Sequence, residues 1–167
     1  DPLAEGVDAL MGSTHKTFAG PQGGIILSKN REAFERIKLC PNLVDSHHAY
    51  RIPGLCAALA EYETFGEAYA DQVIRNAKTL AREMYRLGFK VLFKDLGFTE
   101  SHTILVDVSD FGSGREVAKE LEDAKIIVNA MQVPADVTER RSDPTGVRLG
   151  VQETTRFGMK EIEMKDI

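Results

Sequence analysis

The middle of the chain carries one long stripe of apolar side chains. Apolar residues recur three, four or seven positions apart from Leu55 to Leu87, and Gly88 follows them. This spacing is typical of a helix with one buried face, and Pro53 suits its first turn because proline has no N–H to leave unpaired. The pattern therefore predicts a helix over 53–87, about 50 Å long at 1.5 Å per residue. A helix of that length usually joins two bodies or packs on a partner.

Short elements flank this helix. Before it, the pattern predicts strands at 7–11 and 23–28, a Gly- and Pro-rich turn at 19–24, and a helix over 31–38 capped by Asn30. After it, the pattern predicts, in chain order, strands at 89–93 and 103–108, a helix at 115–124 capped by Ser113, strands at 126–128 and 147–149, and a helix that starts near 159. This second series is typical of a small α+β unit, so we place a domain boundary between residues 86 and 87.

Composition and charge narrow the class of protein. Of the 167 residues, 43% are hydrophobic and 28% are charged, which is typical of a folded globular protein. Acidic residues outnumber basic ones by 26 to 21, and the net charge of −5 argues against a nucleic-acid partner. No apolar run is long enough to cross a bilayer, and two cysteines cannot form a disulfide framework. We therefore expect a cytoplasmic protein without a membrane partner.

Residues 12–24 place small, hydroxyl and charged side chains directly after a predicted strand, with Lys16 among them. A phosphate-binding P-loop is excluded because His15, not glycine, precedes this lysine. A lysine that forms a Schiff base fits better, since it must be held still, partly desolvated and close to positive charge or dipoles. Ser13 and Thr14 offer hydroxyls to a flat cofactor. The alternative is a surface lysine on a Gly-rich hairpin, which composition alone favours.

Cysteines and histidines form a second candidate, a zinc site built from Cys40, His47, His48 and Cys56. Their six- and seven-residue gaps do not follow the short-spaced ligand pairs of structural zinc sites. We therefore interpret them as ordinary cysteines and loop histidines, and we predict no metal site.

Two long blocks of sequence resemble one enzyme family. Residues 13–24, Ser-Thr-His-Lys-Thr-Phe-Ala-Gly-Pro-Gln-Gly-Gly, resemble the pyridoxal-phosphate lysine segment of serine hydroxymethyltransferases. Gly-Val-Arg-Leu-Gly at 146–150 and Glu-Thr-Thr-Arg-Phe-Gly-Met at 153–159 resemble a second block of the same family. Ile-Val-Asn at 127–129 resembles a step between them, and residues 45–51 look most like the archaeal branch. The resemblance covers nearly the whole chain.

The resemblance implies an α/β fold of the fold type I, aspartate aminotransferase class. Residues 1–86 would be the C-terminal part of the pyridoxal-phosphate-binding large domain, with a mixed, mostly parallel sheet and the connecting helix. Residues 87–167 would be a small α+β C-terminal domain with an antiparallel sheet, truncated at its end. The chain is thus expected to be a C-terminal fragment, and the intact enzyme a cytoplasmic homodimer of one-carbon and glycine metabolism.

The resemblance also assigns roles by position. Lys16 would bond covalently, as a Schiff base, to pyridoxal 5'-phosphate, and His15 would contact the cofactor and act in catalysis. Ser13 and Thr14 would contact the cofactor. Arg148 would grip the carboxylate of the amino-acid substrate with its two-pronged guanidinium group. The implied reaction interconverts serine and glycine and passes a one-carbon unit to tetrahydrofolate or tetrahydromethanopterin.

Departures from the family pattern limit what this chain is expected to do alone. Gln22 stands where many members have arginine, and residues 40–50 lack the Gly-Gly-Pro stretch of many members. The family's acidic partner of the pyridinium nitrogen lies upstream of the lysine by more than the fifteen residues present here. We therefore expect the fragment to bind the cofactor weakly and to turn over negligibly. The alternatives are a threonine aldolase or another fold type I enzyme, and a non-catalytic domain.

Overall fold

The chain divides into two compact units, Asp1–Gly66 and Glu67–Ile167, and the division falls inside its longest helix. The computed structural model describes residues 2–40, 48–136 and 142–167. Within these ranges no helix combines the length and the apolar character that crossing a membrane requires.

The first unit contains a two-stranded hairpin. β1 (Leu10–His15) pairs antiparallel with β2 (Ala19–Leu27), and the register shifts between Ser13 and His15. Of the mostly parallel sheet expected in this part of the chain, the described residues contain only this antiparallel pair. The hairpin is the element that carries the lysine segment.

The hairpin corrects two predictions. The strand expected at 7–11 starts later and continues into the lysine segment. The turn expected at 19–24 is wrong, because these residues belong to β2 and Gly24 pairs with Ser13 in the ladder. The chain reverses at 16–18 instead. The glycines that suggested a turn therefore lie along a strand.

The two helices that follow begin and end close to the predicted positions. α1 (Arg31–Lys38) is capped by Asn30, whose side chain accepts a hydrogen bond from the Ala33 backbone N–H at 3.1 Å. α2 (Arg51–Arg86) is continuous. Gly88 follows its end, and a positive φ of 97° there lets the N–H groups of Gly88 and Phe89 bond to carbonyls of the last turn.

The second unit is an antiparallel sheet with helices. Its described strands are β3 (Lys90–Val91), β4 (Thr103–Asp107), β5 (Asn129–Met131) and β6 (Gly146–Gly150). They lie in the order β3-β4-β6-β5. The helices that follow α2 are α3 (Gly114–Asp123), α4 (Gln152–Arg156) and α5 (Glu163–Asp166), and a short 3-10 helix covers Lys94–Leu96. The antiparallel sheet predicted for this region is confirmed.

One face of this sheet forms a core with the second half of α2. Ile104, Val106 and Val147 are 1%, 1% and 2% exposed and point to this face. The α2 residues in the same core are Val73, Ala77, Leu80 and Ala81. The second half of α2 therefore belongs to the second unit, whereas the expected domain division places the whole helix in residues 1–86. The domain boundary itself stays a prediction.

Residues with left-handed backbone shorten or move two predicted strands. The strand expected at 89–93 is reduced to β3, because Phe93 has φ +61° and a 3-10 helix follows. The strand expected at 126–128 is wrong, because Lys125 has φ +69° and the residues that pair with β6 come later, in β5. α4 is an additional helix that the apolar pattern did not predict.

Candidate functional site

Lys16 lies at the tip of the β1–β2 hairpin. The turn spans 16–18, and β1 brings Ser13, Thr14 and His15 to the same tip. The Lys16 side chain is exposed, and with the described residues it makes no hydrogen bond or ion pair. Its amine is therefore open to a ligand. The partial desolvation expected for this lysine is not supplied by the described residues.

Thr14 is the buried residue of the tip. It has no exposed surface, and its Oγ1 donates a hydrogen bond to the Pro21 carbonyl at 2.6 Å. Gly20 lies close by, since a Cβ at this position would be 2.8 Å from the Thr14 carbonyl oxygen. The hydroxyl proton of Thr14 is thus used within the hairpin, and its oxygen has no surface open to solvent. The neighbouring Ser13 is half-buried.

His15 makes a contact that selects one tautomer. The backbone N–H of Gly23 donates to Nδ1 of His15 at 3.1 Å, and the Gly23 carbonyl lies farther from the same atom, at 3.3 Å. The shorter contact makes Nδ1 the acceptor, so the neutral ring carries its proton on Nε2. Because the ring is exposed beside Lys16 in sequence, Nε2–H is a donor available at the hairpin tip.

The first half of α2 holds the turn in place. The Tyr62 hydroxyl donates a hydrogen bond to the Thr17 carbonyl. The rings of Phe18 and Tyr62 are stacked, with centroids 4.8 Å apart and planes at 28°. These two contacts hold Thr17 and Phe18, the residues that directly follow Lys16. The backbone next to the lysine is therefore more constrained than in an ordinary surface turn.

Arg51 of α2 packs against β2. A Cβ on Gly23 would lie 1.6 Å from Nη2 of Arg51, so only glycine leaves room for the guanidinium group. The Nε of Arg51 is buried and has no hydrogen-bond partner among the described residues. The positively charged guanidinium group of Arg51 therefore packs on the hairpin, and its Nε–H has no acceptor among the described residues. The apolar pattern of the sequence gives no signal for such a contact, so Arg51 is not among the predicted site residues.

Arg148 lies in the second unit, in the middle of β6. Its neighbours across the sheet are Leu105 of β4 and Asn129 of β5. Nη2 of Arg148 donates to Oδ1 of Asn129 at 3.0 Å, and the Arg148 side chain is exposed. The pKa of His102 is lowered, first by burial and then by the positive charge of Arg148. This face of the sheet thus presents one oriented guanidinium group.

Known proteins match the chain from end to end. The family described as serine hydroxymethyltransferase matches residues 3–167. This chain belongs to the serine hydroxymethyltransferase family. The serine hydroxymethyltransferase of Saccharolobus islandicus (strain L.S.2.15 / Lassen #1) is 50% identical over 168 residues, which cover 99% of this chain and 39% of the relative. That of Methanothermobacter marburgensis is 51% identical over 168 residues, which cover 100% of this chain and 40% of the relative.

A solved structure has the same fold as this serine hydroxymethyltransferase family member. It is the L-threonine transaldolase from Pseudomonas fluorescens in its internal aldimine state, with a TM-score of 0.85 and 34% sequence identity. The match covers 99% of this chain and 38% of that chain. The chain therefore spans about two-fifths of the length of the relatives that it matches.

The residues that the serine hydroxymethyltransferase resemblance assigns fall into two groups. Ser13, Thr14, His15 and Lys16 are together at the hairpin tip of the first unit. Arg148 belongs to the second unit, on the sheet face opposite the core. The hairpin group is thus a local constellation, whereas the arginine is held by a separate sheet.

The zinc alternative gains no support from the described residues. Cys40 and Cys56 are free and exposed, and His47 lies outside the described residues. Across 2–40, 48–136 and 142–167, no three or more His, Cys, Asp or Glu side chains are grouped so that they could hold a metal ion.

Proposed function

We propose that this chain is the lysine- and arginine-bearing part of a pyridoxal-phosphate-dependent serine hydroxymethyltransferase, which interconverts serine and glycine. The observation that carries the proposal is the identity of 50% and 51% with two archaeal members over essentially the whole chain. Because the chain spans 39% of the first of these relatives, we expect the chain alone to bind the cofactor weakly and to have negligible turnover.

The hairpin tip fits a flat aldehyde that carries an anionic group. Lys16 supplies an unengaged primary amine for covalent attachment, and the unsatisfied Nε of Arg51 is a donor suited to an anion. The half-buried Ser13 is the hydroxyl available to the ring substituents, and the buried Thr14 supports it by holding the hairpin closed. When bound, pyridoxal phosphate supplies an electron-accepting ring that stabilises negative charge at the substrate α-carbon.

His15 is suited to hold a proton next to this lysine. The Gly23 N–H keeps Nδ1 as the acceptor, so Nε2 carries the proton in the neutral ring. A donor at this atom can orient a polar group of the substrate or cofactor without adding charge. We therefore assign His15 to catalysis as well as to cofactor contact.

Arg148 is proposed to bind the substrate carboxylate. Its guanidinium group is exposed and carries two parallel N–H donors on one edge, the geometry that a carboxylate accepts. The interaction between the Arg148 guanidinium and the substrate carboxylate is stronger where the rest of the enzyme excludes water from it. The role of Arg148 is to fix one end of the amino acid so that its α-carbon is placed for reaction.

The remaining assignments follow from the same proposal. Residues 1–86 form part of the large domain with the connecting helix, and residues 87–167 form the small C-terminal domain. The intact enzyme is a cytoplasmic homodimer, its co-substrate is tetrahydrofolate or tetrahydromethanopterin, and neither nucleic acid nor a membrane is a partner. The surplus of acidic residues, 26 against 21 basic ones, supports the absence of a nucleic-acid partner.

Chemical trapping tests the role of Lys16. The longest open reading frame that contains this sequence is purified with pyridoxal phosphate, reduced with borohydride and digested, and the labelled peptide is mapped by mass spectrometry. We expect a single stoichiometric label at Lys16 and none in Lys16→Ala. Lys29, an exposed lysine after β2, provides the matched control variant Lys29→Ala, which should keep the label. Label spread over several lysines, or retained in Lys16→Ala, contradicts the proposal.

Aldol cleavage of threonine without a pterin is the second candidate. The L-threonine transaldolase structure, at 34% identity, favours it. Serine cleavage by the same reading frame is measured with and without a tetrahydropterin. Strong stimulation by tetrahydrofolate or tetrahydromethanopterin supports hydroxymethyl transfer, whereas equal rates with and without the pterin, together with rapid threonine cleavage, support the second candidate.

A further inference from the structure

The sheet of the second unit holds Arg148 through a neighbour that the proposed function does not use. Asn129 is the residue directly opposite Arg148 in the antiparallel pair β5–β6, so the two side chains leave the same face of the sheet. The 3.0 Å contact joins Nη2 of Arg148 to Oδ1 of Asn129. Since arginine has no acceptor, the amide oxygen and not its nitrogen must face the guanidinium group.

The contact fixes the orientation of the arginine. Val147 and Leu149 of β6 point to the opposite face, where Val147 is buried in the core, so the strand cannot turn over without losing that packing. Among the described residues, Arg148 forms no ion pair with a carboxylate. The amide of Asn129 is therefore the group that selects among the rotamers of an otherwise exposed side chain.

We propose that Asn129 is a positioning residue that orients Arg148 for the substrate carboxylate; this rests on the proposed function of Arg148. A neutral amide oxygen takes one of five N–H donors and leaves the full positive charge and a free edge of the guanidinium group. A carboxylate at position 129 would occupy the same donor but would also neutralise the charge that attracts the substrate. The position therefore requires an acceptor without charge.

Three variants of the full reading frame separate this role from a structural one. Asn129→Ala removes the acceptor, Asn129→Asp keeps its size and adds charge, and Gln132→Ala changes an exposed amide side chain just after β5 as the matched control. We measure kcat and KM for serine with the pterin saturating. The dissociation constants of serine and of L-serinamide are measured by calorimetry with the pterin omitted.

We expect Asn129→Ala to raise KM and the dissociation constant for serine about tenfold while kcat changes little, as for a lost hydrogen bond to a charged group. Asn129→Asp should raise both at least as much, although it is nearly isosteric. Serinamide binding, which lacks the carboxylate, should change little in either variant, and Gln132→Ala should match the parent. Wild-type serine binding in either Asn129 variant, or equal losses for serine and serinamide, overturns the proposal.

A fourth variant tells the two proposals apart. Arg148→Met should raise KM for serine roughly 100-fold or more if Arg148 binds the carboxylate. If it does so while both Asn129 variants bind serine normally, positioning by Asn129 is wrong and the role of Arg148 stands. If Arg148→Met leaves serine binding unchanged, the proposed role of Arg148 is wrong, and the inference about Asn129 is overturned with it.

Discussion

The two units of this chain differ in how they bury apolar side chains. In the second unit, Ile104, Val106 and Met164 are each 1% exposed and belong to one continuous core. In the first unit, only Thr14 and Ala58 are buried among the described residues. Large apolar side chains stay in contact with solvent there, and the most exposed of those described are Met11, Leu39 and Tyr50, each at 79%.

Because of this difference, the unit that carries Lys16 is not the unit that has the larger apolar core. Burial of apolar area is the main favourable term in folding, so the second unit can supply its own stability whereas the first unit buries too little. Yet the first unit carries Lys16, the residue proposed to hold the cofactor. The relatives are more than twice as long as this chain, so in them other residues are available to cover the equivalent of the first unit. We infer that the lysine hairpin depends on surfaces outside its own unit.

Separating the units should give the largest effect. The polypeptide of residues 67–167 should unfold in urea in one cooperative transition. Because the chain has no tryptophan, the transition is monitored by circular dichroism and amide exchange. The polypeptide of residues 1–66 should show no cooperative transition, because its apolar side chains lack a core. A cooperative transition for 1–66 comparable to that of 67–167 would contradict the inferred difference in stability between the two units.

Truncation of one core residue should give the next largest effect. Ile104→Ala is expected to lower the free energy of unfolding by about 2–5 kcal/mol, because it removes buried methyl groups and leaves a cavity. Met11→Ala, in the exposed part of β1, should change it by less than about 0.5 kcal/mol. Urea unfolding of the whole chain measures both changes. Equal losses for the two variants would show that Met11 is buried after all.

Two glycines, Gly114 and Gly12, test how closely the backbone packs in each unit. A Cβ on Gly114 would lie 2.3 Å from the Gly146 carbonyl oxygen and 2.9 Å from that of Pro144, and neither backbone atom can swing away. Gly114→Ala should therefore lower the free energy of unfolding by about 1–3 kcal/mol. Gly12→Ala in the first unit is the matched control, since nothing lies within 4 Å of its Cβ. The urea midpoint of Gly114→Ala staying at the parent value would contradict the close approach of α3 to β6.

Local sequence signals located the elements that local contacts stabilise. Asn30 caps α1 as expected, and Ser113 begins α3 with a capping box in which Glu116 reciprocates. Gly88 ends α2 because it adopts a positive φ. In these cases the deciding contacts lie within a few residues of the signal, so the sequence alone is sufficient.

The parts that sequence did not predict depend on distant contacts or backbone angles. The extended conformation of 19–24 accompanies packing by Arg51 and Gly54, some thirty positions later in the chain, which single-segment patterns cannot reveal. The shift of β5 to Asn129 follows the left-handed Lys125 and decides which residue faces Arg148. The resemblance supplied the site residues and their roles, and those roles stay predictions. The contact between Asn129 and Arg148 could be identified only from the register of the β5–β6 pair.

Acidification should give the smallest effect, which we expect at His102 of the second unit. Burial, and then the charge of Arg148, hold the pKa of His102 below its ordinary value of about 6.5. The unfolded chain therefore takes up this proton at a higher pH than the folded chain. The contribution to stability is complete above about pH 6.5 and is lost as the pH falls through the lowered pKa of the folded state.

The ring signals of His102 in the 67–167 polypeptide, followed by NMR titration, check this expectation. In Arg148→Met the pKa should rise toward the ordinary value without reaching it, because burial is the larger cause and remains. Arg82→Met, which removes an exposed arginine of α2, should leave the titration unchanged. A His102 that titrates at or above about 6.5 in the parent would contradict its burial beside Arg148. His102, which is only partly buried, would then not couple the stability of the second unit to mild acid.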